Sequence, residues 1–276
     1  MSQDLLVATG IEVSYGSHSR LFGPPAPGIR VLHGIDIRVR RGETVGIVGE
    51  SGSGKTTLGR ALLRLVDVAA GSIVFDGQDI TCLPEAAMRP LRRRMQMIFQ
   101  DPMASLNPRQ TIRRILTGPL LLHGLATDTA TAARRVKAIL ERVSLPEAVL
   151  DRFPHELSGG QRQRIGIARA VLLEPDFVLA DEIVSGLDVS TQAQVLNLLK
   201  RLSKELGLSM AFISHDLSVI RAVCDYVYVL RFGKVVEEGP CERVFASPAS
   251  SYTRALLDAI PLPDYDPTWL ERGSQI

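Results

Sequence analysis

A short glycine-rich segment constrains the fold of this chain more than any other feature. The segment consists of Gly49, Glu50, Ser51, Gly52, Ser53, Gly54, Lys55, Thr56 and Thr57. It fits the pattern G-x-x-x-x-G-K-[ST], in which glycines adopt backbone angles that are closed to residues with a Cβ. Successive N–H groups can then turn inward around phosphate oxygens, while the lysine adds a positive charge and the Thr56 hydroxyl can ligate Mg²⁺. The segment therefore predicts a site for a nucleoside triphosphate.

The sequence on either side of this segment has the periodicity that the pattern requires. Residues 44–48 form a short apolar run that is typical of a strand, and Leu58, Ala61, Leu62 and Leu65 recur at helical spacing. The helix would begin at the segment and point the positive end of its dipole at the bound anion. A strand, a glycine-rich turn and a helix in this order argue against an ordinary flexible loop.

The bulk composition is that of a globular protein without a marked charge. The 276 residues are 45% hydrophobic and 22% charged, and the net charge of +2 gives no reason to expect nucleic acid as a partner. The densest basic run is Arg92–Arg94. We interpret it as a solvated helix face, because no aromatic platform or second basic cluster accompanies it.

Cysteine usage and hydropathy indicate a location inside the cell. Cys82, Cys224 and Cys241 are odd in number and far apart, which favours neither a disulfide framework nor a zinc site and suggests a reducing compartment. Residues 1–4 lack the basic start and apolar stretch of a signal peptide. The longest segment without a charged residue, 115–127, is too short for a membrane span. We expect any membrane role to come through a partner.

Three segments in the first third of the chain predict a small antiparallel layer. Residues 5–13, 31–39 and 71–77 alternate or cluster apolar residues in the manner of strands. Between the first two, Gly16–Gly28 is rich in Gly, Ser and Pro and predicts a surface loop. Tyr15 lies just before this loop, where its ring could stack on an adenine or simply pack against the strand. The position alone leaves both interpretations open.

The middle of the chain predicts a helical insert. A strand at residues 95–99 ends at Gln100, whose amide could reach both a metal ion and an attacking water. Residues 111–157 then change to an amphipathic helical pattern, in which Ala133, Val136, Leu140 and Val143 share one face of a predicted helix.

A capped helix start follows the insert. Ser158 has the features of an N-cap, and Gly159 and Gly160 leave N–H groups free where the next helix begins, just before Gln161. The sequence is compatible with an ordinary capped helix and with a second anion site.

Two strands deliver acid–base residues to the predicted site. Residues 177–180 form the continuous apolar run expected of a parallel strand buried on both faces, and Asp181 and Glu182 follow at its carboxyl end. Asp181 can hold Mg²⁺ through its water shell, and Glu182 can orient and deprotonate the water that attacks the γ-phosphate. The strand at 209–214 ends at His215, whose imidazole could hydrogen-bond the γ-phosphate.

In this order, the motifs resemble those of the ATPase subunit of an ABC transporter. In the family's terms they are the A-loop aromatic (Tyr15), the Walker A loop (residues 49–56), the Q-loop glutamine (Gln100), the signature sequence (residues 157–161), the Walker B strand with its catalytic glutamate (residues 177–182), the D-loop (residues 185–188) and the switch histidine (His215). The resemblance favours the stacking role for Tyr15.

The resemblance implies an α/β fold. A P-loop NTPase core with a mainly parallel sheet would carry an N-terminal antiparallel β layer and an inserted α-helical subdomain. The ATPase domain would span residues 4–247, with the helical insert at about 101–173. Residues 248–276 would be a C-terminal extension of the type found in oligopeptide and dipeptide importers.

Two segments are similar to the oligopeptide, dipeptide and nickel importer branch of the family. They are residues 97–109 and residues 251–261. Two positions depart from the usual pattern: Ile183 follows the glutamate where proline is usual, and Ser250 with Ser251 replaces the usual His-Pro. The resemblance implies an ATPase that powers import of a small solute, with peptides favoured and nickel as an alternative.

The resemblance also implies a composite site for ATP and Mg²⁺. Two subunits, identical or paralogous, would pair head to tail, so that each ATP lies between Lys55 of one and Ser158, Gly159, Gly160 and Gln161 of the other. Asp188 of the D-loop would complete the nucleotide-binding set. Glu182, His215 and Gln100 would be catalytic, and Thr56, Gln100 and Asp181 would serve the metal ion.

Further partners follow from the family. Transmembrane permease subunits would dock over about residues 100–125, a solute-binding protein would act indirectly, and the chain would lie on the cytoplasmic face of the inner membrane. Three rival hypotheses are a soluble ABC ATPase acting on nucleic acid or ribosomes, a P-loop kinase, and a catalytically weak partner in a heterodimer. The first tends to need a coiled coil, a zinc element or tandem cassettes, the signature sequence and Glu182 argue against the second, and only Ile183 suggests the third.

Overall fold

The structure, a computed structural model, describes residues 4–16 and 28–259. In its central sheet the carboxyl ends of the parallel strands lie along one edge. Most of the predicted loop Gly16–Gly28, and residues 260–276 of the predicted extension, lie outside the described residues. The strands are β1 (Asp4–Tyr15), β2 (Ile29–Arg40), β3 (Thr44–Val48), β4 (Ala70–Phe75), β5 (Gln78–Asp79), β6 (Met95–Ile98), β7 (Phe177–Asp181), β8 (Ser209–Ile213), β9 (Tyr226–Arg231) and β10 (Lys234–Pro240).

Ten α-helices occupy the described ranges together with two short 3₁₀ turns at Glu147–Asp151 and Pro154–Glu156. The α-helices are α1 (Lys55–Leu62), α2 (Glu85–Arg94), α3 (Pro102–Ser105), α4 (Ile112–Leu122), α5 (Thr129–Arg142), α6 (Gly159–Val171), α7 (Val189–Leu206), α8 (Leu217–Val223), α9 (Cys241–Ala246) and α10 (Ser251–Asp258). None of them is long and apolar enough to cross a membrane.

The N-terminal layer is an antiparallel sheet with the strand order β2-β1-β4-β5. The central strand β1 pairs with β2 on one side and β4 on the other, for example Val13 with Leu32 and Ala8 with Ile73. All four of these side chains are buried on one face, as expected of a sheet with one covered side. The predicted antiparallel layer is confirmed.

The central sheet has the order β10-β9-β3-β8-β7-β6. The neighbouring strands from β9 to β6 in this order pair in parallel. β10, at the other edge, pairs antiparallel with β9. β3, β7 and β8 are buried along their whole length, which explains their continuous apolar sequences. The predicted P-loop NTPase core with a mainly parallel sheet is confirmed.

The two faces of the central sheet belong to two different hydrophobic cores. Phe177 and Leu179 of β7 pack towards α1 and the antiparallel layer, whereas Val178 and Ala180 pack towards the helical side. This alternation follows from the period of two in a strand. Glu182, which follows β7, therefore lies at the edge of the sheet between the two cores.

The helical subdomain packs on the second face through apolar stripes. In α5, Val136, Leu140 and the following Val143 are buried as the sequence predicted, whereas Ala133 is only half-buried and Ala132 takes the buried position. Asp128 begins this helix, because its Oδ1 accepts a hydrogen bond from the N–H of Thr131 at 2.8 Å. The predicted helical subdomain is confirmed.

Arginines 92–94 are not a solvated helix face, so that interpretation was wrong. Arg92 forms an ion pair with Glu85 at 2.9 Å and donates to the carbonyl oxygen of Arg64 at 3.0 Å. Arg94 pairs with two aspartates, Asp76 and Asp176, and its guanidinium lies 5.1 Å from the centre of the Phe75 ring. The run lies at the end of α2, where partners from the start of the same helix and from other parts of the chain surround it.

After β8 the chain returns to the sheet, and the last helix of the described residues is capped. Ser250 begins α10, since its Oγ accepts from the N–H of Tyr252 at 3.2 Å. The Glu237 carboxylate of β10 also accepts from the N–H groups of Ala249 at 2.8 Å and Ser250 at 3.1 Å. Serine at position 250 thus supplies a helix cap in place of the histidine usual in the branch.

The packing of α1 on the sheet can be tested with a pair of glycine substitutions. A Cβ on Gly59 would lie 2.8 Å from both Ile213 Cδ1 and Leu179 Cδ2, whereas nothing lies within 4 Å of a Cβ on Gly166 in α6. We expect Gly59→Ala to lower the free energy of unfolding by about 1–3 kcal/mol through overpacking. Gly166→Ala should raise it by up to about 1 kcal/mol, because alanine is the better helix former.

Urea unfolding of the nucleotide-free chain would measure both changes. A stabilising effect of Gly59→Ala would contradict the close packing of α1 against β7 and β8.

Candidate active site

The glycine-rich segment joins β3 to α1 and requires glycine where it bends most. Gly49, Gly52 and Gly54 have φ values of 146°, 78° and 103°, which lie in the region that favours glycine. A Cβ on Gly49 would lie 2.1 Å from the carbonyl oxygen of Leu230, so no side chain fits there. The segment forms the predicted loop at the carboxyl edge of the sheet.

Lys55 folds back over this loop. Its Nζ donates to the carbonyl oxygens of Gly49 and Glu50, each at 2.8 Å, and the residue is only 5% exposed. Loss of water lowers the pKa of Lys55, while the negative charges of Glu182, Asp181 and Glu50 act in the opposite direction. The loop thus carries a buried cation where phosphate oxygens are expected.

Asp181 and Thr56 meet beside the lysine. The Thr56 hydroxyl donates to Asp181 Oδ1 at 3.2 Å. Burial raises the pKa of Asp181, the hydrogen bond from Thr56 lowers it, and the neighbouring charge of Glu182 raises it again.

The oxygens around this pair fit Mg²⁺. A hydroxyl and a carboxylate beside a phosphate loop match the few protein ligands that Mg²⁺ takes when phosphates supply the rest. The buried hydroxyl of Ser53, in the same loop, has no hydrogen-bond partner among the residues that the structure describes.

Glu182 lies between the other two predicted catalytic residues. Its Oε2 accepts from Gln100 Nε2 at 3.2 Å, and its Oε1 is 3.6 Å from His215 Nδ1. A small cavity of about 150 Å³ borders Glu182, His215 and the 185–187 turn. Two residues that follow β6 and β8, Gln100 and His215, therefore converge on the carboxylate that follows β7.

Packing, rather than a proline ring, constrains the backbone after this glutamate. Ile183 is 1% exposed and belongs to the core on the helical side. The N–H of Glu182 donates to the carbonyl oxygen of Ile213 at 3.0 Å, and its φ of 46° is in the left-handed region. The unusual isoleucine is thus an anchored core residue.

The remaining predicted residues do not join this cluster within the chain. Ser158 and Gln161 form a capping box at the start of α6, with each side chain accepting from the backbone N–H of the other at 3.3 and 3.0 Å. Asp188 caps α7 through the N–H of Thr191 at 2.9 Å. Among the described residues, no hydrogen bond or ion pair links these caps to the loop at 49–57.

The start of α6 and the start of α7 lie next to each other. A Cβ on Gly160 would be 3.1 Å from Thr191 Cγ2. The signature residues and Asp188 thus form a second group of their own, in which Ser158, Gly159 and Asp188 are exposed.

Tyr15 ends β1 with an exposed ring. It is 42% exposed and pairs with Ile29, which is 77% exposed. An open aromatic face at this position is compatible with the predicted stacking on adenine, which stays a prediction.

One contact of the loop was missed at the level of the sequence. The hydroxyl of Tyr252 in α10 accepts a hydrogen bond from the N–H of Glu50 at 3.1 Å. The two residues are 202 positions apart, and no periodicity or spacing connects them. The only signal was that Tyr252 lies in a segment similar to one branch of the family.

Known proteins are similar in sequence to this chain over most of its length. The family described as ABC transporter matches residues 32–185. A putative peptide import ATP-binding protein of Brucella ovis is 56% identical over 86% of this chain and 75% of its own. The oligopeptide transport ATP-binding protein AmiF of Streptococcus pneumoniae is 48% identical over 96% of this chain and 84% of its own.

Solved structures agree with the fold. The protein cbiO1 of Clostridium perfringens, part of the ABC transporter complex cbiONQ, has a TM-score of 0.76 at 28% identity and covers 88% of this chain and 91% of its own. The ATP-binding cassette MJ0796, a dimer bound to ADP and phosphate, has a TM-score of 0.75 at 28% identity and covers 86% of this chain and 98% of its own.

The chain belongs to the ABC transporter family, as an ATPase. Within the family it is an ATP-binding protein of the oligopeptide import branch.

Because the pKa of Asp181 is raised, we expect its ionised carboxylate to destabilise the folded chain at neutral pH. A carboxyl whose folded pKa exceeds its ordinary value of 3.8 stabilises the fold at low pH, and this contribution is lost as pH rises through the folded pKa. We therefore expect Asp181→Asn to raise the melting temperature without nucleotide at pH 7, by roughly 2 °C. The same variant should bind ATP with Mg²⁺ less tightly than the wild type.

Thermal unfolding at several pH values would check this expectation. The gain over the wild type should shrink as pH falls through the raised pKa of Asp181, because both chains then carry a neutral side chain. Asp67→Asn is the matched control, since the Asp67 side chain is 99% exposed. A lower melting temperature for Asp181→Asn at pH 7 would contradict the expectation.

Proposed function

We propose that this chain is the ATP-hydrolysing subunit of an importer that carries peptides across the membrane. The observation that carries the proposal is the convergence of Gln100 and His215 on the Glu182 carboxylate, next to a loop that holds a buried lysine. The peptide branch rests on relatives that are named for peptide and oligopeptide import. Those names favour peptides over nickel as the solute.

The residues of the site can divide the work of hydrolysis. Lys55 and the N–H groups of the loop bind the β- and γ-phosphates, while Gln100 and His215 orient Glu182. Glu182 takes a proton from the attacking water. The oxygen of that water bonds to the γ-phosphorus, and the bond between the γ-phosphorus and the bridging oxygen of ADP breaks. Mg²⁺, held by Thr56 and Asp181, would neutralise charge on the phosphates. The products are ADP and inorganic phosphate.

The separation of the two residue groups supports a head-to-tail dimer. The capped start of α6, with Ser158, Gly159, Gly160 and Gln161, presents a partly exposed helix N-terminus that makes no hydrogen bond to the phosphate loop among the described residues. A second copy or a paralogue would place this end against the ATP of the first. The dimeric structure of MJ0796 with ADP and phosphate supports this arrangement.

Exposed apolar residues near Gln100 and α4 support docking of permease subunits there. Phe99, Leu121 and Leu122 are 38%, 42% and 67% exposed and lie in or beside the range 100–125. The chain would then act on the cytoplasmic face of the membrane, and a solute-binding protein would supply the peptide. Movement of Gln100 with its loop would couple the γ-phosphate to these partners.

Removal of the catalytic carboxylate should trap the dimer. Glu182→Gln keeps a side chain of the same size that can bond Gln100 and His215 but cannot accept a proton from water. We expect hydrolysis to fall by at least about 100-fold, with a dimer on size-exclusion chromatography in ATP and Mg²⁺. The control is Glu174→Gln, the same change at an exposed ion pair with Arg135.

A Glu182→Gln chain that binds ATP and stays monomeric, also when mixed with its paralogous partner, would contradict the composite site. Near-normal hydrolysis would contradict the role of Glu182.

The nature of the solute can be tested on the purified transporter complex. We expect ATP hydrolysis by the complex to rise when the solute-binding protein is loaded with a peptide mixture. The same binding protein with nickel in place of peptide should leave the rate at its basal value. Stimulation by nickel alone would overturn the assignment to peptide import without affecting the assignment as an ATPase.

A further inference from the structure

The C-terminal helix α10 reaches the phosphate loop through one hydroxyl group. Tyr252 is 7% exposed and belongs to the core on the helical side. Its Oη accepts from the N–H of Glu50 at 3.1 Å. The helix lies well beyond residues 32–185, the part that matches the family, so the contact adds a residue to the site that none of the nucleotide-binding motifs includes.

This hydroxyl and Lys55 hold the two ends of the same peptide unit. The carbonyl of Gly49 accepts from Lys55 Nζ at 2.8 Å, and the N–H of Glu50, across the same peptide bond, donates to Tyr252. Gly49 alone does not restrict this plane strongly, because a residue without a Cβ has access to many backbone angles. If the plane turned over, an N–H dipole would face the lysine ammonium in place of the carbonyl oxygen. The Tyr252 hydroxyl opposes that rotation.

Tyr252 is itself held firmly on the sheet. The Arg231 guanidinium at the end of β9 lies 4.7 Å from the centre of its ring. The Glu237 carboxylate fixes the start of α10 through the N–H groups of Ala249 and Ser250. Burial raises the pKa of Tyr252, so its hydroxyl stays neutral and keeps a lone pair for the Glu50 N–H.

We propose that Tyr252 is a positioning residue for ATP, which acts through the Gly49–Glu50 peptide on the Lys55 ammonium. The helix α10 is then part of the nucleotide site, and the proposal rests on the binding of ATP at the loop. Because coupling between two sites is reciprocal, bound ATP must in turn stabilise the docking of α10.

Removal of one oxygen tests the proposal in the full-length chain. Tyr252→Phe keeps the ring against Arg231 and leaves the Glu50 N–H without its acceptor. Loss of such a hydrogen bond predicts a Kd for ATP with Mg²⁺ that is about 2- to 10-fold weaker, measured by calorimetry. In the assembled transporter the KM for ATP should rise by the same factor while kcat stays unchanged, which a general loss of stability would not produce.

Two reference variants make the result specific. Tyr226→Phe removes a hydroxyl from the other end of β9, where it donates to Glu238 at 3.3 Å, and should leave the Kd unchanged. Lys55→Ala should abolish binding. If Lys55→Ala abolishes binding and Tyr252→Phe matches the wild type, the positioning role is wrong and the ATP site stands. If the wild-type chain itself fails to bind ATP, the proposed function fails.

Hydrogen exchange of the wild-type chain decides the matter even where Tyr252→Phe does not fold. We expect ATP with Mg²⁺ to slow amide exchange in residues 251–258 as well as in residues 49–57. Protection confined to the loop, with no change in α10, would overturn the proposal.

Discussion

Burial of the Lys55 ammonium is the interaction on which the rest of the site depends. A lysine that has left water keeps its charge only where oxygens replace its hydration. The carbonyls of Gly49 and Glu50 do so directly, and the carboxylates of Asp181 and Glu182 add attraction from the end of β7. β3 and β7 are separated only by β8, so the strand order itself brings the cation and its balancing charges together.

Because both faces of the central sheet are covered, the catalytic residues at its edge lie between the antiparallel layer and the helical subdomain. Successive residues of β7 enter opposite cores, one shared with the antiparallel layer and α1, the other with the helical subdomain. Glu182 follows that strand directly, and its partner Gln100 begins the segment that leads into the helices. A change in the angle between the helical subdomain and the sheet would therefore alter the contact between Gln100 and Glu182 before it altered the phosphate loop.

Local motifs made most of the fold and the centre of the site predictable. The loop at 49–57, the apolar strands and the residues at their carboxyl ends are specified by neighbours in the chain, and the parallel sheet brings their ends to one edge. What the sequence did not reveal depends on distant partners. Arg94 finds two aspartates from other elements, and Tyr252 finds Glu50, through tertiary packing that leaves no periodic trace. The roles of the signature residues remain predictions, because they concern a second subunit.

The backbone conformation of Glu182 affects which substitutions this position would accept if hydrolysis were no longer selected. A left-handed φ of 46° is unfavourable for a residue with a long side chain, whereas asparagine or glycine adopts it readily. Asp181, next to it, is likewise a carboxylate that burial disfavours. At these two neighbouring positions, selection for folding and selection for hydrolysis favour different residues. In a duplicated copy freed from the need to hydrolyse ATP, loss of one of these acids would relieve the local cost, whereas loss of both would leave the buried Lys55 ammonium without its balancing carboxylates.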